Sequence, residues 1–78
     1  MRTKIDIAII RRVKELREKN DVSQRVLSEV LNTTPGFIGQ VESDKCATKY
    51  SVSQIYLIAK FFECEVSDIY PPINRLEP

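Results

Sequence analysis

The chain contains no histidine and no tryptophan, and only two glycines and two cysteines among its 78 residues. Each shortage excludes something. Without histidine, neither the commonest zinc ligand nor the usual general base for a serine or cysteine nucleophile is present. Cys46 and Cys64 stand far apart with no C-x-x-C spacing, so they read as free thiols of a reducing compartment rather than as a disulfide framework or half of a metal site. Two glycines do not make a phosphate-cradling loop, and the carboxylates are scattered over polar positions. The expectation is therefore no metal, no cofactor and no enzymatic activity. Long apolar runs are missing as well. No uncharged apolar run exceeds five residues, far short of the roughly 18–20 residues of a membrane span, and no signal-peptide cleavage pattern follows IAII at residues 7–10. A soluble, cytoplasmic protein that meets no membrane is expected.

What is present suffices for one small domain: 42% of the residues are hydrophobic, enough for a modest core, and the length is too small for two. The net charge of +1 hides an asymmetry. Residues 1–20 hold seven Arg/Lys against three Asp/Glu, residues 21–49 three against four, and residues 50–78 two against four. A basic end can face a polyanion, although a charged helix is more often simply solvated.

From Ile9, the segment IIRRVKELREKN sets Ile9, Val13 and Leu16 at i, i+4 and i+7 with charged residues between them, which predicts an amphipathic helix ending near Asn20. Ser23 stands as N-cap before QRVLSEVL, whose Val26, Leu27, Val30 and Leu31 form the inward stripe of a short second helix. Asn32 supplies the left-handed residue of a tight turn. Thr34 then caps a third helix with Pro35 at its first position, where a missing amide hydrogen costs nothing. Phe37, Ile38 and Val41 line the inner side of that helix. Between Ser43 and Tyr50 the periodicity fails and a surface loop is expected. Ser51 and Gln54 make an S-x-x-Q capping box that opens a fourth helix with Ile55, Ile58, Ala59 and Phe62 at core spacing. A fifth short helix is expected around Ser67 to Tyr70, stopped by Pro71 and Pro72. The predicted fold is all-α, a compact bundle of five short helices, with residues 1–8 as an N-terminal extension, 9–70 as the domain and 71–78 as a C-terminal tail.

The two short helices and turn over residues 23–42, SQRVLSEVLNTTPGFIGQVE, have the length of a helix-turn-helix, whose second helix enters the DNA major groove and meets base edges with its N-terminal residues. The stretch resembles the lambda-repressor-like helix-turn-helix domains of phage repressors and XRE-type bacterial regulators. Ser23 and Gln24 match the opening pair of that family, Leu27 and Leu31 its two leucines, Ile38 its buried isoleucine and Glu42 its terminal glutamate. Upstream, Ile9, Val13, Leu16 and Arg17 match its first helix; downstream, Ala59, Phe62 and EVSDIY match its ending, so the resemblance spans residues 9–70. Ser28 replaces the usual alanine, Asn32 the usual turn glycine, and the loop after Glu42 is longer than usual. The resemblance implies that Gln24 hydrogen-bonds a backbone phosphate and that Arg17 and Glu42 form a structural ion pair between the first and third helices.

Both glycines, Gly36 and Gly39, fall inside the predicted third helix, where each costs about 0.8–1 kcal/mol relative to alanine. On a 3.6-residue period they share with Gln40 and Ser43 the face opposite Ile38 and Val41, the face that would look into the groove. Close packing against another helix is the competing explanation, but the apolar residues for it lie on the other side. Base contacts are expected from Thr34, Pro35, Gly36, Gly39 and Gln40. Gln40 would pair with adenine, and the Thr34 methyl and Pro35 ring would touch thymine methyls. Gln24, Ser43, Lys45 and Lys49 are the phosphate candidates, together with Thr34, with solubility the competing reason for an exposed lysine.

The fourth helix also carries Leu57 and Phe61 as a second apolar stripe, followed by Val66, Ile69, Tyr70 and Ile73, which is more apolar surface than one small core uses. The expectation is a homodimer on double-stranded DNA, joined through Leu57, Phe61, Ile69, Tyr70 and Ile73; the competing reading has these residues cap the core of the monomer. Together these features predict a sequence-specific DNA-binding transcriptional regulator of the prokaryotic or phage repressor type. The rival is a protein-interaction module on the same fold, such as an antitoxin-like or regulator-binding domain with weak DNA affinity.

Overall fold

The computed structural model describes residues 1–73; the rest of the predicted tail, 74–78, lies outside the described residues. The helices are α1 Lys4–Lys19, α2 Gln24–Val30, α3 Pro35–Glu42, α4 Val52–Phe61 and α5 Val66–Ile69, with no strand among the described residues. The first amides of a helix lack intrahelical acceptors, and here side chains supply them. The hydroxyls of Thr3, Ser23, Thr34 and Ser51 each accept from the amide three residues on, and Asp6 and Gln54 return the bond to the caps of α1 and α4.

Three helix ends share one geometry. Asp21, Asn32 and Glu63 adopt left-handed φ values of 54°, 54° and 55° after α1, α2 and α4. The next amide then donates back into the last turn: Val22 to the Arg17 carbonyl at 2.8 Å, Thr33 to Ser28 at 2.8 Å, and Cys64 to Ala59 at 3.0 Å. Asn32 thus takes the conformation expected of it. Nothing in the apolar spacing announced Asp21 and Glu63.

The helix start at Ile9 is corrected: α1 begins at Lys4, so most of the supposed extension is helical. The cause is the capping box of Thr3 and Asp6, which nucleates the helix ahead of its core stripe. Ile5 and Ile7 in that first stretch remain exposed, so the apolar periodicity does not reveal it. The α2 stripe is corrected too. Val26 is 41% exposed, while Ser28, one residue from Leu27, is fully buried and donates its hydroxyl to the Arg25 carbonyl at 2.6 Å. A small side chain whose polar atom is returned to its own helix suits so closed a position.

Ile9, Ile10, Val13 and Leu16 of α1 meet Leu27, Leu31, Ile38, Val41, Ile55, Ile58 and Ala59 in one core, closed by Ile69 and by Tyr50 from the α3–α4 loop. α2 packs on α3, α1 lies across α3 and α5, and α4 meets α2 and α5. Ile69 is therefore not available to a second copy. At 1% exposure it belongs to this core, because α5 presses it against its own α1 and α4.

One polar cluster joins three helices. The Arg17 Nε and Nη2 donate to the two carboxylate oxygens of Glu42, both at 2.9 Å, and Nη1 donates to the Val22 carbonyl at 2.9 Å. The Gln24 amide adds a third donor to Glu42 at 3.0 Å. The Arg17 and Glu42 side chains are 12% and 5% exposed, so this is a nearly buried, bidentate pair. Hydrogen bonding to Glu42 holds the guanidinium even more firmly protonated than usual.

Glu42→Ala should cost about 3–5 kcal/mol, since it leaves a guanidinium buried without its counter-charge. Urea unfolding reads this directly, and a loss below about 0.5 kcal/mol would mean that the pair is energetically idle. Tyr50 gives a contrasting expectation. It is 7% exposed, burial raises its pKa well above the ordinary phenol value, and its hydroxyl has no hydrogen-bond partner among the described residues. Tyr50→Phe should leave stability unchanged or raise it by about 1 kcal/mol. A clear loss in the same measurement would reveal a bonded hydroxyl instead.

Candidate nucleic-acid interface

The turn between α2 and α3 brings the capped start of α3 to the surface, with Thr34, Pro35, Gly36 and Gln40 exposed and Ile38 and Val41 fully buried on the opposite side. Gly39 is half-buried at the edge facing α2. A Cβ on Gly36 would meet nothing nearer than the Thr34 hydroxyl at 3.8 Å, and one on Gly39 nothing nearer than the Gln24 side-chain oxygen at 3.7 Å. Neither glycine has a positive φ. Neither tight packing nor a left-handed backbone therefore requires glycine at these positions. The outer face of α3 is simply left flat.

The polar groups around this face are partly engaged. The Thr34 hydroxyl accepts from the Phe37 amide at 3.2 Å, and the Gln40 side-chain oxygen accepts a long bond from the Thr48 hydroxyl at 3.4 Å. Gln24, expected to serve a phosphate, donates to Glu42, and it lies beside the Arg17 pair because α2 starts where α3 ends. An amide carries two N–H groups, so this bond fixes the plane of the side chain and uses one of them.

Lys49 is held against α1 by the Asp6 carboxylate at 3.3 Å rather than standing free. The early start of α1 creates that contact. The Asp6 carboxyl sits below the ordinary carboxylate range, chiefly through the Thr3 backbone amide, with Lys49 adding to the effect. Lys45 is exposed, and its backbone amide donates to the Ser43 hydroxyl at 3.2 Å.

A residue that carries no signal in the sequence organises the same region. Arg2 donates from Nη2 to the carbonyls of Gln40 at 3.2 Å and Val41 at 2.7 Å, from Nη1 to Ser43 at 2.8 Å, and from Nε to Thr48 at 3.1 Å. Only the folded chain brings residue 2 beside residues 40–48, and a single arginine before a helix carries no signal of it. The basic N-terminal stretch is thus partly consumed inside the molecule. Arg2 and Arg17 are engaged as described, and Arg12 donates to the Asp68 carbonyl at 3.0 Å. Arg11, Lys14 and Lys45 line an open cleft of about 690 Å³ between α1 and the loop, over Ile7 and Ile10.

On the far side, Leu57, Phe61, Tyr70 and Ile73 are exposed as the dimer expectation requires, and Val52 and Tyr56 of α4 are exposed as well. The Phe61 ring packs edge-on against Phe62, with centroids 5.0 Å apart.

The helix-turn-helix family matches residues 13–69, from the middle of α1 to the end of α5. No curated protein matches the sequence. Among solved structures, cobalt(II) HppE in complex with substrate superposes with a TM-score of 0.74 at 19% identity, over 88% of this chain and 38% of that one. Hydroxypropylphosphonic acid epoxidase from S. wedmorenis in complex with fosfomycin does so with a TM-score of 0.74 at 18% identity, over 90% of this chain and 36% of that one. Iron(II) HppE gives 0.73 at 19% identity, over 88% and 36%. At such identity the likeness establishes the fold alone, and this chain spans well under half the length of those it matches. The matched region contains the whole of α2, the turn and α3 together with the helices that hold them, and by this measure the chain belongs to the helix-turn-helix family of the XRE and lambda-repressor-like kind.

Proposed function

We propose that the protein is a sequence-specific transcriptional regulator, of the prokaryotic or phage repressor type, that lays α3 in the major groove of double-stranded DNA and catalyses no reaction. The observation that carries this reading is the bare outer side of α3, where two glycines, at each of which a Cβ would meet its neighbours only at ordinary van der Waals distance, interrupt a helix that neither packing nor backbone conformation obliges to be bare. Such a face lets the backbone approach the bases. Gln40 reads one base, the Thr34 methyl and Pro35 ring touch thymine methyls, and Gly36 and Gly39 line the approach. The second N–H of Gln24 serves a phosphate, with Ser43, Lys45 and Lys49 as further contacts along the loop. The absence of histidine throughout the sequence supports a role without catalysis.

Two copies bind together in this reading, through Leu57, Phe61, Tyr70 and Ile73, so that half-sites recur about one helical turn apart. The exposed apolar residues of α4, extended by Val52 and Tyr56, equally favour a second reading in which that helix docks another protein and DNA affinity is weak.

Selection from random duplexes, followed by binding at several salt concentrations, tests the first reading. With two lysines facing phosphates on each of two protomers, log affinity should fall against log salt with a slope of about −3 to −4. Weak, salt-insensitive binding to every selected duplex would favour the docking module. On the selected site, Gln40→Ala should cost about 1–3 kcal/mol and relax preference at one base pair per half-site. Gly36→Leu and Gly39→Leu should abolish binding while leaving the fold as stable or up to about 0.8 kcal/mol more so. Leucine variants that bind as the parent does would remove the glycine face from the groove.

A further inference from the structure

We propose that Arg2 is a positioning residue for DNA binding, fixing the loop of residues 43–49 to the C-terminal end of α3; this role rests on the DNA-binding reading above. Every helix leaves its last carbonyls without intrahelical donors. α1, α2 and α4 satisfy theirs locally, by a left-handed residue and a returning amide. α3 does not: its cap residue Ser43 is extended, with φ −87° and ψ 133°, and the chain leaves directly into the loop. The Ser43 amide still reaches the Gln40 carbonyl at 3.2 Å and the Cys46 amide the Ser43 carbonyl at 3.4 Å, but no backbone amide among the described residues reaches Val41, and further donors come from elsewhere in the sequence. Arg2 supplies the donor to Val41 and a second one each to Gln40 and Ser43, and its positive charge lies where the negative end of the helix dipole favours it.

The same guanidinium also holds the far end of the loop, donating to the Thr48 carbonyl from both Nε and Nη2. One planar, rigid group therefore grips both ends of the stretch 43–48, which carries Ser43 and Lys45 and leads directly into Lys49. Its own position is fixed by the adjacent Thr3, whose capping box with Asp6 anchors the first turn of α1, and Asp6 in turn binds Lys49. The loop is thus tied to α1 at two neighbouring points. A lysine in place of Arg2 offers a single nitrogen and cannot span carbonyls at both ends of the loop.

Arg2→Ala and Arg2→Lys, compared with the parent by amide hydrogen exchange and by DNA binding, test the role. In both variants the amides of residues 44–50 should exchange about tenfold faster or more, while core amides such as those of Leu27 and Ile58 keep their protection. Affinity for the selected duplex should fall about three- to tenfold, with a salt slope shallower by about one, and the ratio of best to mismatched sites should not change. Unchanged loop exchange would overturn the proposal. So would a loosened loop with unaltered affinity and slope, or full rescue by lysine, since a point charge would then suffice. If the parent binds and the variants bind equally, the Arg2 role alone fails. If the parent binds no duplex, the DNA-binding reading fails and takes this role with it.

Discussion

A guanidinium and a carboxylate buried together at the meeting point of α1, α2 and α3 determine where the third helix can lie. α3 is eight residues long and buries only Ile38 and Val41 completely, and two aliphatic side chains leave a short helix free to rotate or slide by a fraction of a turn. The Arg17 and Glu42 pair removes that freedom, because charges withdrawn from water are tolerable only in the geometry that satisfies them. Glu42 accepts from both Arg17 and Gln24, so a rotation of α3 would strand several groups at once. The outward direction of Gly36 and Gln40 follows from this constraint as much as from the apolar stripe beneath them.

The segment after α3 is ordered by a different means. Residues 43–51 have no helix or strand to satisfy their backbone, and a loop seated against a protein surface needs donors for its carbonyls. Arg2 contributes them, Lys49 ties the loop to the Asp6 carboxylate of α1, and Tyr50 drops a ring into the core to anchor the loop from below, meeting Phe37 edge-on at 6.2 Å. Polar and apolar anchors therefore act on opposite sides of one short stretch.

Much of this architecture is legible in the sequence because it depends on local rules. The cap residues Ser23, Thr34 and Ser51, the left-handed Asn32 and the i, i+4 stripe of Ile55 and Ala59 each carry their own signal, and all take the expected places. The Arg17 to Glu42 pair became readable only through family resemblance, since the partners are 25 residues apart. Failures occurred where tertiary contact overrides local pattern. Val26 satisfies the helical period yet points to solvent, while Ser28 violates it and is buried. Ile69 reads as surplus apolar surface by its spacing, yet α5 presses it inward. Arg2 was illegible for a physical reason: its four carbonyl partners are backbone atoms, which leave no mark on residue identity.

The three left-handed helix ends fall on aspartate, asparagine and glutamate, residues that pay a steric penalty glycine would avoid, of about 1 kcal/mol each. The two glycines stand instead in mid-helix, where they weaken α3. This distribution separates two properties in space. Tolerance to heat has room to rise at positions 21, 32 and 63, on the turns, without altering one atom of the flat face, while the shape of that face can be varied at positions 36 and 39 in directions that also strengthen the helix. A lineage could therefore change the surface it presents without first acquiring compensating stability, so that recognition and robustness can diverge independently on one small scaffold.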